Sequence, residues 1–391
     1  MKSVARTTAT LFAGVMMLAP GAKASAQAPS AIPASAVTGT TYGITESQAA
    51  AAPGSAVLYV CNQNDATVSV IDPATRKIIR TVDLQALGFS ANAKPHHIAV
   101  EPDGSYWYVS LIGDNRVVKL DSSDRVVGQV EFEMPGMLAL HPTEKYLVVG
   151  RSMTAVNPPP RIGVIDREKM TIEEIDVLFP RPHAIAIEPT SQTVYTASLG
   201  VNQIAAVDMK SERVELTNLS GLPHALMQFA VSPDGRTMVV SAELSHRLLI
   251  LDITDRMKPK PVAEVDVEHQ PFDPVFTPDG RYVYLGNKAA NAITVVDVPA
   301  RRVAKVIRGS GIAQPHGAVV SADGRWVFVS NNNLKGTGDH AGHMMVGGSQ
   351  GAPAQPAGPG TIVVIDANTQ SIADVITVGH NASGIALPTR Q

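Results

Sequence analysis

The sequence predicts an all-β protein with the fold of a seven-bladed β-propeller, and three observations carry this prediction. An apolar run that ends in Asp recurs seven times, at spacings of 49, 45, 42, 44, 45 and 69 residues, close to the period of a four-stranded blade. A Pro-Asp-Gly turn, or a relative of it, comes before most of these runs, and a β-branched strand follows each turn. Helical periodicity is almost absent, so short strands joined by regular turns are expected throughout. The repeated residues are Asp72, Asp121, Asp166, Asp208, Asp252, Asp297 and Asp366.

Each repeat is interpreted as four strands: one before the Pro-Asp-Gly turn, one after it, one that ends at the repeated Asp and one that follows. The first repeat, residues 56–84, lacks the first of these strands, whereas Gly384-Ile385-Ala386-Leu387 resembles a first strand without a blade. We therefore predict that the C-terminal strand completes the first blade and closes the ring, which leaves no exposed sheet edge. The repeated Asp residues are interpreted as caps of type I turns rather than as a ring of functional carboxylates.

The composition excludes several classes of function. The chain has 391 residues, a formal charge of −3 and one cysteine. This charge argues against a nucleic-acid partner, which requires a basic surface. The longest apolar stretch is shorter than the ~18 residues of a spanning helix, so we expect no membrane insertion. One cysteine excludes a disulfide framework and a Cys-x-x-Cys-His haem attachment, and without a phosphate-binding loop we expect no nucleotide cofactor.

The N-terminus has the pattern of a signal peptide, predicted over residues 1–26. Lys2 and Arg6 precede an apolar core, and Ala24-Ser25-Ala26 forms a cleavage site. Residues 27–53 are rich in Ala, Pro and Ser and are interpreted as a tether, which leaves residues 54–391 for a single propeller. The sequence therefore predicts a mature protein that is located in the periplasm.

The placement of the histidines is the main functional signal of the sequence. Alignment of the first strands puts His96, His183 and His316 at one repeat position, which in other blades holds Gly136, Met227, Phe272 and Ser383. Four more lie within three residues of that position, namely His97, His224, His269 and His380. Because the first strand is innermost and begins on the face where the second-to-third-strand loops open, we expect these side chains around one mouth of the central channel.

A long insertion is predicted on the same face, at residues 331–360 of the last blade. It exceeds an ordinary connection by roughly 24 residues and contains His340, His343, Met344 and Met345. Imidazole and thioether ligands together suit copper better than calcium or magnesium. The leading hypothesis is a transition-metal site, with copper as first choice and zinc as second, held by His96, His183 and His316. Further ligands or supporting groups would come from His97, His224, His269, His380, His340 and His343.

Three segments resemble the Tyr-Val-Thr-Asn repeat of the YVTN family of bacterial β-propellers: Tyr59-Val60-Cys61-Asn62, Tyr284-Leu285-Gly286-Asn287 and Phe328-Val329-Ser330-Asn331. The resemblance covers residues 56–387. Similar propellers include surface proteins, lactonases and the copper-bearing propeller of nitrous oxide reductase. This chain lacks the second domain and the cysteine pair of that reductase. The resemblance therefore implies that an oxidoreductase of this type would need a separate redox partner in the periplasm.

Two alternatives to the metal site remain open. One is a non-catalytic scaffold that presents its mouth to a small-molecule ligand or to a periplasmic protein. The other is a lactonase-like hydrolase, for which the candidate acids and bases are Asp114, Arg151, Glu243, Asp273 and Lys288. The sequence has no nucleophile elbow, in which a Gly-x-Ser-x-Gly segment joins a strand to a helix, and no His-Glu-x-x-His motif.

Overall fold

The computed structural model describes residues 56–190, 192–335 and 355–388, and the regular structure in these ranges consists of strands. No helix there is long and apolar enough to cross a membrane. The predicted signal peptide, tether, His340 and His343 lie outside the described residues.

Within the described ranges, twenty-eight strands form seven antiparallel four-stranded sheets, and this confirms the predicted fold. Blade 1 contains β28 (Ala382–Ala386), β1 (Leu58–Asn62), β2 (Thr67–Asp72) and β3 (Lys77–Asp83). Blade 2 contains β4 (Pro95–Val100), β5 (Tyr106–Leu111), β6 (Arg116–Asp121) and β7 (Val126–Glu131). Blade 3 contains β8 (Pro135–Leu140), β9 (Tyr146–Arg151), β10 (Arg161–Asp166) and β11 (Thr171–Asp176). Blade 4 contains β12 (Pro182–Ile187), β13 (Thr193–Ser198), β14 (Gln203–Asp208) and β15 (Arg213–Asn218).

The remaining blades have the same order from the channel outwards. Blade 5 contains β16 (Leu226–Val231), β17 (Thr237–Ala242), β18 (Arg247–Asp252) and β19 (Lys260–Asp266). Blade 6 contains β20 (Pro271–Phe276), β21 (Tyr282–Asn287), β22 (Ala292–Asp297) and β23 (Arg302–Ile307). Blade 7 contains β24 (Pro315–Val320), β25 (Trp326–Asn331), β26 (Thr361–Asp366) and β27 (Ser371–Thr377).

The ring is closed by the C-terminal strand, as predicted. Strand β28 pairs with β1, with Val60 opposite Ile385, and so supplies the innermost strand of blade 1. The innermost strands of neighbouring blades contact one another around the whole ring. Asp65 adds a further link between the two ends of the ring, because its carboxylate accepts the backbone N–H of His380 at 2.7 Å and lies 3.0 Å from the His380 Nδ1.

The repeated Asp residues cap turns, as the sequence predicts. Each carboxylate accepts a backbone N–H from the turn that follows its strand, for example Ala74 N to Asp72 at 2.9 Å and Lys210 N to Asp208 at 2.9 Å. Six of the seven bond to the residue two positions on, and Asp297 bonds to Ala300, three positions on. These carboxylates stabilise the scaffold.

A β-bulge lies near the start of the innermost strand in every blade. In blade 2, Pro95 pairs with Leu111 and Ile98 with Val109, so the innermost strand carries one residue more than its partner. The same shift occurs in the other six blades. The residue before each innermost strand is a non-glycine with φ between 48° and 58°. These residues are Lys94, Met134, Arg181, Ala225, Gln270, Gln314 and Asn381. The left-handed residue and the bulge together redirect the chain towards the channel.

Small residues in the first or second strand of one blade let the innermost strand of the next blade approach closely at these bulges. A Cβ atom added to Gly384 in blade 1 would overlap the carbonyl oxygen of His96 in blade 2, and one added to Gly150 would overlap that of His183. Ser110 uses the same space for a hydrogen bond, because its Oγ donates to the carbonyl oxygen of Gly136 at 2.8 Å.

We therefore predict that Gly384→Ala lowers the free energy of unfolding by about 1–3 kcal/mol, since the methyl group meets backbone that cannot move aside easily. Urea unfolding followed by far-UV circular dichroism measures this change. Gly200→Ala is the matched control, because its nearest neighbours would lie at ordinary van der Waals distances of 3.8–3.9 Å. Equal stability of the two variants would contradict the close approach of blades 1 and 2.

Candidate functional site

The predicted alignment of the innermost strands is confirmed at the channel mouth, defined here as the channel end where these strands begin. The second residue of each innermost strand is, from blade 1 to blade 7, Ser383, His96, Gly136, His183, Met227, Phe272 and His316. The rings of His96 and His316 meet edge to face with centroids 5.6 Å apart, and Phe272 lies 5.0 Å from His316. Side chains from different blades therefore converge at this position.

A second set of residues lies beside the first, at the position that follows the second strand of each blade. It comprises Gln63, Ile112, Ser152, Leu199, Glu243, Lys288 and Asn332. Each backbone N–H donates to the carbonyl of the left-handed residue before the innermost strand, at 2.7–3.2 Å. The connections that lead into the innermost strands and the loops that follow the second strands thus both lie at the mouth, as predicted.

His96 is one of the buried imidazoles of the mouth. It lies between the small residues Ser383 and Gly136 of the adjacent blades, and its Nδ1 is 2.8 Å from the Gln63 Nε2. Its Nε2 is buried and has no hydrogen-bond partner among the described residues. Burial, and next the charges of His97, His183 and Lys288, hold the pKa of His96 well below its usual value. His96 is therefore a neutral imidazole at pH 7.

His183 and His97 are also held neutral by burial. The His183 Nδ1 lies 2.7 Å from the carbonyl oxygen of Arg151 and donates to it, which leaves Nε2 as the acceptor atom. Burial lowers the pKa of His183 to about 4. The His97 Nδ1 accepts the backbone N–H of Leu138 in blade 3 at 3.3 Å, and burial lowers the pKa of His97 to about 4 as well.

An acid–base cluster, formed by Glu243, Asp273, Lys288 and His316, lies on the blade 5–7 side of the mouth. All four side chains are buried. The Asp273 Oδ2 is 4.0 Å from the His316 Nδ1, and the Lys288 Nζ lies 4.9 Å from the centroid of the Phe272 ring. Burial raises the pKa of Asp273 to about 7, opposed by the charge of Lys288. Burial lowers the pKa of Lys288 to about 8, opposed by the charges of Glu243 and Asp273. A carboxyl group and an ammonium group whose pKa values lie near neutrality therefore meet beside the imidazole of His316.

An apolar wall, formed by Met153, Leu199, Met227 and Phe272, completes the mouth on the side of blades 3–6. The four side chains pack together and are almost fully buried. Phe272 belongs to the wall and also contacts His316 and Lys288, so the wall adjoins the acid–base cluster directly. Apolar and titratable side chains thus adjoin at the mouth, and His183 of blade 4 lies among the blades that supply the wall.

The structure does not bring all the predicted histidines into this site. The His224 Nδ1 lies 2.8 Å from the Ser245 Oγ and its Nε2 3.2 Å from the Ser220 carbonyl oxygen, so both ring nitrogens have partners in the neighbouring loops. The exposed His269 ring stacks on His246, at 4.3 Å between centroids, and His380 is engaged by Asp65 as described above. Within the described ranges, no three His, Cys, Asp or Glu side chains form a group that could hold a metal ion.

Two of the five hydrolase candidates have structural partners outside the acid–base cluster. The Arg151 guanidinium lies over the Phe132 ring and bonds to Glu174 at 3.1 Å, and Asp114 accepts the backbone N–H of Ser90 at 2.9 Å.

Sequence reasoning missed Gln63, His246 and the apolar wall. Alignment of the position after each second strand would have grouped Gln63 and Leu199 with Glu243 and Lys288, because all of them begin equivalent loops.

Comparison with known proteins agrees with this fold. Residues 177–336 match the family model described as lactonase, 7-bladed beta-propeller. This part of the chain is similar to the lactonase-type propellers. It contains the whole acid–base cluster. No curated protein matches the sequence significantly.

Two solved structures share the fold at low sequence identity. A protein of unknown function from Desulfotomaculum acetoxidans DSM 771 aligns with a TM-score of 0.65 and 14% identity, over 85% of this chain and 98% of its own. The dihydro-heme d1 dehydrogenase NirN, in complex with DHE, aligns with a TM-score of 0.55 and 16% identity, over 86% of this chain and 76% of its own. At sequence identities of 14% and 16%, these two comparisons show a shared fold.

The buried imidazoles predict a loss of stability in acid. Between pH 6.5 and 4 the unfolded chain protonates His183 while the folded chain keeps it neutral, so the unfolded state binds more protons and stability falls as the pH falls. We expect His183→Asn to reduce this slope by up to about 1.4 kcal/mol per pH unit, as measured by urea unfolding from pH 4 to 8. The control is His269→Asn, at an exposed ring. A slope that stays unchanged in His183→Asn would contradict the burial of a neutral imidazole.

Proposed function

We propose that this protein is a hydrolase of lactones, cyclic esters, and that its active site is the acid–base cluster at the channel mouth. The observation that carries the proposal is the convergence of Asp273, Lys288 and His316 from blades 6 and 7 in one buried cluster. The match of residues 177–336 to the lactonase family model supports it, since that segment supplies the entire cluster. Of the functions that the sequence leaves open, lactone hydrolysis makes the fullest use of these groups.

The proposed reaction adds water across the ester bond of the ring. Asp273, as a carboxylate, removes a proton from water, and the water oxygen attacks the carbonyl carbon. The Lys288 ammonium stabilises the negative charge that develops on the carbonyl oxygen. The ring C–O bond then breaks, and the proton held by Asp273 passes to the leaving alkoxide. The product is a hydroxy acid, and its carboxyl group releases a proton to solvent.

His316 and Glu243 hold these two groups in place. The His316 ring lies beside the Asp273 carboxylate and restricts its movement, while the charge of Glu243 favours the protonated form of Lys288. Both are therefore positioning residues in this proposal.

The proposal predicts a bell-shaped pH dependence of kcat/KM for γ-butyrolactone, with its maximum between pH 7 and 8. Activity rises as Asp273 loses its proton near pH 7 and falls as Lys288 loses its proton near pH 8. The two groups interact, so the limbs report apparent pKa values of the pair. Proton release in a pH-stat measures the rate. A rate that rises steadily up to pH 10 would contradict a protonated lysine in the mechanism.

Removal of either group should abolish most of the activity without loss of the fold. We expect Asp273→Asn to lower kcat at least 100-fold and Lys288→Gln about 100- to 1,000-fold. Circular dichroism checks that each variant is folded. The comparison variant is Arg151→Gln, because the Arg151 side chain forms its ion pair with Glu174, outside the acid–base cluster. If Asp273→Asn keeps more than a tenth of the wild-type kcat, Asp273 is not the base.

A transition-metal site is the second candidate function, and the buried Nε2 of His96 favours it. His183 has the arrangement common in metal ligands, in which Nδ1 donates to a backbone carbonyl and Nε2 is left for the metal. His96 and His183 would hold the ion, together with His316 and histidines such as His340 and His343. Copper, or zinc as second choice, would supply Lewis acidity or, for copper, electron transfer with a separate redox partner.

The metal candidate predicts about one copper or zinc ion per chain in protein purified from the periplasm, measured by elemental analysis. The triple variant His96→Ala, His183→Ala, His316→Ala should lose the metal and stay folded, while His141→Asn, at a turn cap, should keep it. Metal-free protein with full lactone hydrolysis would refute the metal candidate and leave the hydrolase proposal standing.

The predicted location and the predicted partner of the protein are part of the same proposal. We propose that the protein acts in the periplasm after removal of residues 1–26. Its partner under the hydrolase proposal is a small molecule. A scaffold that presents the mouth to a periplasmic protein would bind that protein without hydrolysing any lactone.

A further inference from the structure

The exposed apolar side chains of the loops are concentrated in one sector of the molecule. Eleven large hydrophobic side chains are exposed among the described residues, and six of them lie in strands. The other five form the apolar rim: Val156, Leu178, Val201, Leu222 and Leu244. Their exposed fractions range from 39% to 68%.

Every residue of the apolar rim lies in a loop of the mouth face. Val156, Val201 and Leu244 follow the second strands of blades 3, 4 and 5, and Leu178 and Leu222 lie in the connections from blade 3 to 4 and from blade 4 to 5. The apolar wall comes from the same sector, since Met153, Leu199 and Met227 belong to blades 3, 4 and 5. Exposed and buried apolar groups therefore come from the same three blades, on the same face of the ring.

We infer that the substrate is a lactone with a linear alkyl or acyl substituent, which the apolar rim and the apolar wall bind while the ring lies at the acid–base cluster. This inference rests on the proposed function and names its substrate class. The inference depends on the direct contact between the acid–base cluster and the apolar wall. Phe272 contacts His316 and Lys288 and also packs with Met227. A chain that leaves a lactone ring at Lys288 therefore lies against Phe272 and the rest of the apolar wall.

The composition of the apolar wall suits such an occupant. Met153 and Met227 have flexible, unbranched side chains that can shift to admit a chain and then pack along it. Burial of each methylene group strengthens binding about fourfold at most. His96 and Ser383, in blades 2 and 1, offer polar surface instead, so the blades of the apolar wall are the favourable side for the substituent.

Binding of unreactive cyclic amides tests this inference separately from hydrolysis. Isothermal titration calorimetry compares γ-butyrolactam with γ-decalactam on the mature protein. We expect γ-decalactam to bind at least 100-fold more tightly. The double variant Val156→Ser, Leu222→Ser should weaken γ-decalactam binding about tenfold. The matched control Val127→Ser, Leu216→Ser makes the same changes on the outer strands β7 and β15 and should stay within twofold of the wild type.

The outcomes distinguish the two proposals. Tight binding of γ-decalactam that the rim variant weakens, in a protein that hydrolyses no lactone, would support the alkyl site and refute the hydrolase. Lactone hydrolysis with equal affinity for both lactams would overturn the alkyl site alone. Rim-dependent binding to phosphatidylcholine vesicles, with no affinity for γ-decalactam, would show that the rim docks on a lipid surface and would overturn the inference.

Discussion

The β-bulge at the start of each innermost strand is the constraint on which the rest of this structure depends. It requires a left-handed residue before the strand, a hydrogen bond to that residue from the next loop and a small neighbour across the blade boundary. All seven blades meet the first two requirements, and Gly150, Gly384 and Ser110 show how the third is met. Since the backbone fixes this geometry, the side chain on the bulge is free to vary.

Because this side chain can differ between blades, seven blades with the same backbone can present different side chains at the mouth. The same bulge position carries an imidazole in blades 2, 4 and 7 and an apolar side chain in blades 5 and 6. Glycine in blade 3 and serine in blade 1 leave the space into which His96 fits. The mouth therefore combines polar and apolar side chains without any change in the fold, and the acid–base cluster adjoins the apolar wall at Phe272.

Burial shifts the pKa values of the acid–base cluster. Asp273 and Lys288 are far from water, so burial moves their pKa values towards each other and towards neutrality, while their mutual attraction limits the shift. The turn-capping carboxylates show the opposite behaviour, because hydrogen bonds to the charged form lower the pKa of Asp72 and Asp208. The turn-capping carboxylates serve the structure, whereas Asp273 is the acidic residue that the proposed mechanism uses.

The fold was predictable from the sequence because the period and the turn residues are local signals. The alignment that placed His96, His183 and His316 together was also correct, since the Pro that begins most innermost strands fixes the register. The fate of the other histidines was not predictable. His224 is satisfied by Ser245 and His380 by Asp65, which is 315 positions away in the chain, and nothing local indicates such partners. The meeting of Asp273 with Lys288 likewise depends on contacts between separate strands.

The location of a bound ligand tests the central claim of this account most directly. A crystal structure of the protein with γ-decalactam should show the lactam carbonyl within hydrogen-bond distance of the Lys288 Nζ and the alkyl chain against Met227 and Phe272. A lactam bound instead at the opposite face, in the cleft of the Pro-Asp-Gly turns near Pro233 and Pro278, would contradict a functional site at the histidine mouth.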